Sequence, residues 1–232
     1  MLGPAGVGKT TILKSICVKD RQIKAGVHVN KIIFVLFLVV NTPFLIITYL
    51  FEFKRDRWFS WREIRAIVYL KAWYFILTSR FSGKNNVVIL DHGPIFRLAF
   101  LDEFGPDFYR NSYYKKWWNR VLETWYTTLD AVIWLDAPNE MLLKRIQLRD
   151  RWHEIKNESD NKANEYLDRY RSSCQKIITK LNTDLKVLEF DTKEKSPDQI
   201  SHNILDIIDL IEKGEFHTKE ILENNIANTR RK

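Results

Sequence analysis

Met1-Leu2-Gly3-Pro4-Ala5-Gly6-Val7-Gly8-Lys9-Thr10 opens the chain, and residues 3–10 fit the pattern G-x-x-x-x-G-K-[ST]. Each position in that pattern has a physical task. Glycine lets successive backbone N–H groups turn inward, so Gly3, Pro4, Ala5, Gly6, Val7 and Gly8 form the wall of a phosphate cradle. Lys9 reaches the β- and γ-phosphates of a nucleotide, the Thr10 hydroxyl ligates Mg²⁺, and Thr11 continues the rim. The run from Thr10 to about Lys19 predicts a helix whose positive N-terminal end faces the same anion. A chance Gly-rich turn is the competing reading. Three glycines, a lysine and a threonine in register before a helix argue against it.

A phosphate loop of this kind follows a buried β-strand, and a strand takes about five residues. Only Met1 and Leu2 stand before Gly3. The first strand therefore reads as truncated, and an upstream apolar run is expected.

The chain has 232 residues, 45% of them hydrophobic and 28% charged, which fits one globular domain and excludes a disordered chain. Two cysteines, Cys17 and Cys174, give neither a disulfide framework nor a metal-binding spacing, and point to a reducing, cytoplasmic compartment. No secretory signal is visible. The net charge of +8 suits anionic ligands. Nucleic acid is disfavoured, because no recognition motif accompanies the charge. The aromatic and basic run at Tyr113, Tyr114, Lys115, Lys116, Trp117, Trp118 and Arg120 has the residue types of a stacking platform. At helical spacing, though, such rings are half core and half surface.

Residues 32–51, IIFVLFLVVNTPFLIITYLF, carry no charge. That is the length of a membrane span, and Arg55, Arg57, Arg62 and Arg65, with Trp58 and Trp61 among them, follow as an interfacial flank would. A span would separate the phosphate loop from the rest of its own domain. A buried helix pair broken at Pro43 is the expectation, with a peripheral, membrane-leaning hairpin second. Beyond it the pattern predicts a helix over 61–81, a turn at 82–86, a buried strand at 87–90 ending in Asp91, and a helical stretch over 108–129. A strand at 131–135, helices at 140–149 and 161–181, and a strand at 186–190 follow. Pro197 opens a last helix capped by Ser196, and residues 212–232 form a polar tail. This alternation implies an α/β domain over 1–211, with a central parallel sheet and helices on both faces. Ligands then bind at the carboxyl ends of the strands, beside the phosphate loop, Asp91 and Asp136.

Two further groups carry chemistry. A carboxylate at the end of a buried strand, as Asp91 is, can serve Mg²⁺ or take a proton from an attacking hydroxyl. Arg145 and Arg149 share a helix face at i, i+4, with Arg151 and His153 just beyond. Guanidinium groups stabilise the charge spread over a transferred phosphoryl group. A turn-capping carboxylate and a solvated basic helix are the bland alternatives.

The phosphate loop, the strand ending at Asp91, VIWLDAPNEMLLKRIQLRDR (132–151) and VLEFDTKEKSPDQISHNI (187–204) together resemble the thymidylate kinase and deoxynucleoside kinase branch of the P-loop kinases. The resemblance spans 3–22 and 87–210. It implies a P-loop three-layer sandwich and a lid over 145–160 carrying Arg145, Arg149 and Arg151. It also implies an adenine-contacting loop at Asp191-Thr192-Lys193. That branch places Asp-Arg or Glu-Arg-Ser after the middle strand. This chain has Asp91-His92-Gly93-Pro94 instead, with Arg97 the nearest arginine. The acceptor-side region, 25–85, has no counterpart.

The expected activity is therefore ATP- and Mg²⁺-dependent phosphoryl transfer to a hydroxyl or phosphate acceptor, nucleoside- or nucleotide-like by resemblance. Lys9, Asp91, Arg145, Arg149 and Arg151 would carry the reaction, and Thr192 would contact the donor base. A lipid-like or membrane-presented acceptor is one alternative. A regulatory module that hydrolyses nucleotide slowly is another, although no Asn-Lys-x-Asp guanine motif occurs. The oligomeric state is open, a homodimer included.

Overall fold

The apolar runs read as strands pair in parallel. In a computed structural model describing residues 1–50, 57–80, 87–105, 112–150, 153–181 and 185–214, β1 (Lys24–Ala25) pairs with β2 (Val88–Ile89). β3 (Ala131–Asp136) pairs with β4 (Lys186–Asp191), in register from Ala131 opposite Lys186 to Asp136 opposite Asp191. Leu2 stands between the two pairs. Its N–H donates to the Ile133 carbonyl at 2.7 Å and its own carbonyl accepts from the Leu135 N–H at 2.9 Å. On the other side the Met1 amino group donates to the Leu90 carbonyl at 2.8 Å. The spatial order is thus β1-β2-Leu2-β3-β4. Two parallel pairs are joined by a single bridging residue, and a cavity of about 520 Å³ lies between them beside Met1. Val87, Asp130 and Ala131 line it at the amino ends of the strands, and Leu90, Gly93 and Phe96 line it on either side of Asp91 in the sequence.

Side chains alternate across β3, and each set has its own core. Val132 and Trp134 pack with Ile67 and Leu70 of α3 (Trp61–Arg80), Leu98 and Leu101 of α4 (Pro94–Phe104), and Trp118 and Trp125 of α5 (Ser112–Tyr126). Ile133 and Leu135 pack with Ile12 and Ile16 of α1 (Lys9–Lys19), Leu142 and Ile146 of α6 (Asn139–Gln147), and Ile200 and Ile204 of α8 (Pro197–Glu212). α7 (Asp160–Leu181) serves both cores, with Cys174 and Ile177 in the first and Ala163 and Leu167 in the second. The start of α8 is the expected one. Ser196 Oγ accepts from the Gln199 N–H, and Gln199 Oε1 accepts from the Ser196 N–H at 2.9 Å.

The apolar stretch departs from expectation. It is one helix, α2 (Lys31–Leu50), with Pro43 inside it. Asn41 Nδ2 donates to the Phe37 carbonyl at 2.6 Å and Thr42 Oγ1 to the Leu38 carbonyl at 2.9 Å. The polar residues that read as a break are absorbed by the preceding turn. The helix is not buried either. Only 22% of its most apolar window is buried, and Ile32, Val35, Leu36, Val39 and Val40 form an exposed stripe. By length and composition it is apolar enough to cross a membrane.

α4 is an element the periodicity did not announce. Its helix starts because His92 takes a left-handed φ of 52°, Gly93 caps and Pro94 fills the first helical position. The expected turn at 82–86 and the tail beyond 214 lie outside the described residues. In α5 the rings of Tyr114, Trp118 and Trp125 are buried, leaving fewer aromatic faces for a nucleic-acid platform.

α7 is fastened to β3 by Arg171. Its Nε and Nη2 donate to the two oxygens of Asp136 at 2.8 and 3.0 Å, and Nη2 also reaches Asn139 Oδ1 at 3.0 Å. Asp136 sits at the carboxyl end of β3, as expected, but its charge is spent on this fork. Arg171→Ala leaves a half-buried carboxylate unpaired and is expected to cost about 3 kcal/mol. Urea unfolding checks this, and a loss below about 1 kcal/mol, the scale of an exposed pair, would contradict the anchoring role.

Candidate functional site

The phosphate loop connects Leu2 to α1 in the conformation its glycines require. Gly3 and Gly6 have φ of 148° and 87°. A Cβ on Gly3 would lie 2.2 Å from the Leu135 carbonyl oxygen, and one on Gly6 would lie 2.7 Å from that of Leu142. The loop is therefore pressed against β3 on one side and α6 on the other. Gly8, with φ of 96° and open space where a Cβ would stand, leads into α1.

Lys9 is 6% exposed, and its ammonium donates to the Gly3 carbonyl at 2.6 Å and the Pro4 carbonyl at 2.9 Å. Burial pushes it down from 10.5 to about 8, with Asp91 opposing and Arg149 adding to the depression. A buried cation held only by carbonyls is a place prepared for an anion. Between about pH 8 and 10 the unfolded chain keeps the Lys9 proton more readily than the fold does. The Lys9 contribution to stability therefore rises with pH there, by at most about 1.4 kcal/mol per unit. The empty protein is expected to gain stability over that window relative to Lys9→Met. Parallel pH profiles for the two would contradict it.

Thr10 and Asp91 face each other, Oγ1 to Oδ2, at 3.5 Å. Burial pushes the Asp91 carboxyl up, but His92, Lys9 and the Met1 amino group outweigh it and hold the group below its usual value. His92 Nδ1 lies 3.0 Å from Asp91 Oδ1, yet at the sharp turn into α4 that oxygen makes no hydrogen bond among the described residues. An ionised carboxylate with a spare acceptor, beside a hydroxyl at the mouth of the loop, fits a hydrated cation or a hydroxyl proton.

The arginines divide. Arg145 does not face the loop. It donates through Nη1 to Thr192 Oγ1 at 2.9 Å and through Nη2 to the Thr192 carbonyl at 3.1 Å. It fixes the turn after β4, whose Thr192 N–H in turn bonds the Asp136 carbonyl at 2.9 Å. Arg149, just past α6, is close enough to depress Lys9 and His153. Burial lowers His153 first. Glu154 opposes, and Arg149, Arg62 and Lys9 lower it further. Arg151 lies outside the described residues. Lys9, Arg149 and Arg62 are thus near enough to act on His153, which their charges and burial hold towards its neutral form, and Asp91 is the carboxylate that acts on Lys9.

Sequence reading missed the side across from the loop. Arg62 pairs with Glu154 and stacks 4.4 Å over Phe100, where the sequence suggested a membrane flank. Phe96 lies between His92 and Tyr170, at 4.5 and 5.6 Å between ring centroids. Tyr170 is buried next to Cys174, and burial drives its phenol well above the usual value and the Cys174 thiol to about 12. The sequence reading singled out neither Phe96 nor Tyr170, which stand on different helices, α4 and α7.

No protein-family model matches the chain, and no curated protein matches it by sequence. Among solved structures it is similar to the YorR protein of Bacillus subtilis in complex with phosphorylated GDP. The two are 14% identical over 93% of this chain and 97% of that one, with a TM-score of 0.49. It is also similar to the deoxyadenosine kinase from M. mycoides with bound dATP, 19% identical over 88% of this chain and 97% of that one, with a TM-score of 0.52. The second likeness shows that the chain shares that protein's fold.

Proposed function

We propose that the chain is an ATP-dependent phosphotransferase that moves the γ-phosphoryl group to a hydroxyl or phosphate on a small acceptor, nucleoside- or nucleotide-like in the first instance. The observation that carries this is a buried Lys9 held by the loop carbonyls, with Thr10 3.5 Å from an Asp91 carboxylate kept below its usual value by His92 and Lys9, and Arg149 near enough to act on Lys9. The dATP-bound neighbour supports an adenine nucleotide in the same fold. Ala5, Gly6, Val7 and Gly8 hold the phosphates through backbone N–H groups, with Gly3 and Pro4 as the wall of the loop, and Lys9 leaves the loop carbonyls for phosphate oxygens. Thr10 and Asp91 would hold Mg²⁺, which would supply charge neutralisation at the phosphates. Asp91 takes the proton of an attacking hydroxyl. Arg149 and His153, with Arg151 from the same segment, cover the transferred group as a lid over 145–160 and exclude water. Arg145 acts one step back, by fixing Thr192 beside the donor base. Two free cysteines suit a reducing, cytoplasmic setting.

The test is ADP release with Mg²⁺ and pooled nucleosides, nucleoside monophosphates, sugars and polyprenyl alcohols. Release that depends on one pool supports the proposal. Release that no pool raises contradicts it and favours the slow-hydrolysis module. The exposed stripe of α2 favours a second reading, a membrane-presented acceptor. Vesicle flotation at low salt checks it, and protein that stays with the soluble fraction contradicts it.

A further inference from the structure

Arg97 is a half-buried guanidinium with no carboxylate among the described residues. It lies in the first turns of α4, past Asp91, over the rings of Tyr69 at 4.6 Å and Trp73 at 4.5 Å. Those rings are fixed from behind. They lie 5.3 Å apart, and Trp73 Nε1 donates to the Val27 carbonyl at 3.2 Å. The Arg97 Nε–H is buried and makes no hydrogen bond. Arg65 shares the Tyr69 face at 5.8 Å. The carboxylates nearby are spoken for: Glu63 by Arg57 and the Ser60 N–H, Glu154 by Arg62, and Glu103 by Arg169. Cation–π contact offsets part of the cost of burying a guanidinium, but its N–H donors lie in the ring plane and stay unspent. Burial first, then Arg65 and Arg62, pull Arg97 down to about 10.

From this geometry we infer that Arg97, with Arg65, forms a second anion site separate from the phosphate loop, and that the acceptor carries a phosphate or carboxylate which docks there. The inference rests on the phosphotransferase reading for the word acceptor, but the anion site itself does not. A planar guanidinium presents paired donors that match an oxyanion better than a neutral group. The acceptor then lies between two anchors, its reacting group at Asp91 and its anion at Arg97.

The experiment is a calorimetric titration of inorganic phosphate into the protein with ADP and Mg²⁺ saturating, so that the loop is filled. One phosphate per chain is expected to bind the wild type. Arg97→Gln should weaken it about 10- to 100-fold, the worth of charge-assisted hydrogen bonds. Arg65→Gln should weaken it a few-fold. Arg97→Lys, which keeps charge and stem but loses the fork, should fall between and guards against a folding defect in the Gln variant. Equal affinity in wild type and Arg97→Gln at matched melting temperatures overturns the site, as does no binding by the wild type. The same titration of Lys9→Ala without nucleotide separates the two readings. Arg97-dependent phosphate binding persists there even if ADP never binds and the phosphotransferase reading fails.

Discussion

Asp91→Asn is expected to lower turnover about 10³-fold while nucleotide affinity stays within a few-fold. Amide for carboxylate keeps size and one acceptor oxygen, so the turn Asp91-His92-Gly93-Pro94 and the Thr10 contact at 3.5 Å have no steric reason to change. What is lost is the charge and the proton acceptor. General-base catalysis is worth about 10²–10⁴ in rate, and weaker cation holding adds to that. Lys9 also loses the carboxylate that raises it against burial, so the variant should hold its empty state less well below about pH 8, where Lys9 is charged in the fold. Steady-state kinetics with nucleotide titration check the split. Turnover within about 10-fold of wild type would remove Asp91 from the base role.

Lys9→Ala is expected to lower turnover about 10²–10³-fold, the range for deleting one preorganised donor to developing charge, and to weaken nucleotide binding as well. The argument is electrostatic. Lys9 is buried and held by two loop carbonyls, so its interaction with a phosphate is little screened by solvent. Removing it leaves Arg149 and the backbone N–H groups to face the anion. Normal turnover with normal nucleotide affinity would mean that phosphates bind elsewhere than the 3–10 loop.

These two residues were legible because their signal is local. Residues 3–10 fix one backbone shape whatever surrounds them, and the runs 131–135 and 186–190 are apolar, short and bounded, so the strands they form were visible too. α8 was legible through its cap. The rest depends on contacts between distant segments. Arg145 and Thr192 are 47 residues apart, and Arg171 and Asp136 are 35 apart. Nothing in either neighbourhood says that these side chains meet. α2 misled because Asn41, Thr42 and Pro43 have the composition of a break, while their side-chain bonds to the preceding turn keep the helix going. Arg62 and Arg65 followed an apolar stretch and so resembled a membrane flank. Only the packing of α3 on α4 turns Arg62 to Phe100 and brings Arg65 and Arg97 to Tyr69.

The most direct test of phosphoryl transfer is to follow the label from ATP carrying a radioactive γ-phosphate, with Mg²⁺ and each acceptor pool, and to separate the products. The account predicts that label moves into an organic acceptor, that an anionic acceptor serves better than its neutral counterpart, and that Lys9→Ala and Asp91→Asn slow the transfer by at least about 10²-fold. Label recovered only as inorganic phosphate, at a rate no acceptor changes, would contradict it and make the protein a nucleotide-hydrolysing switch.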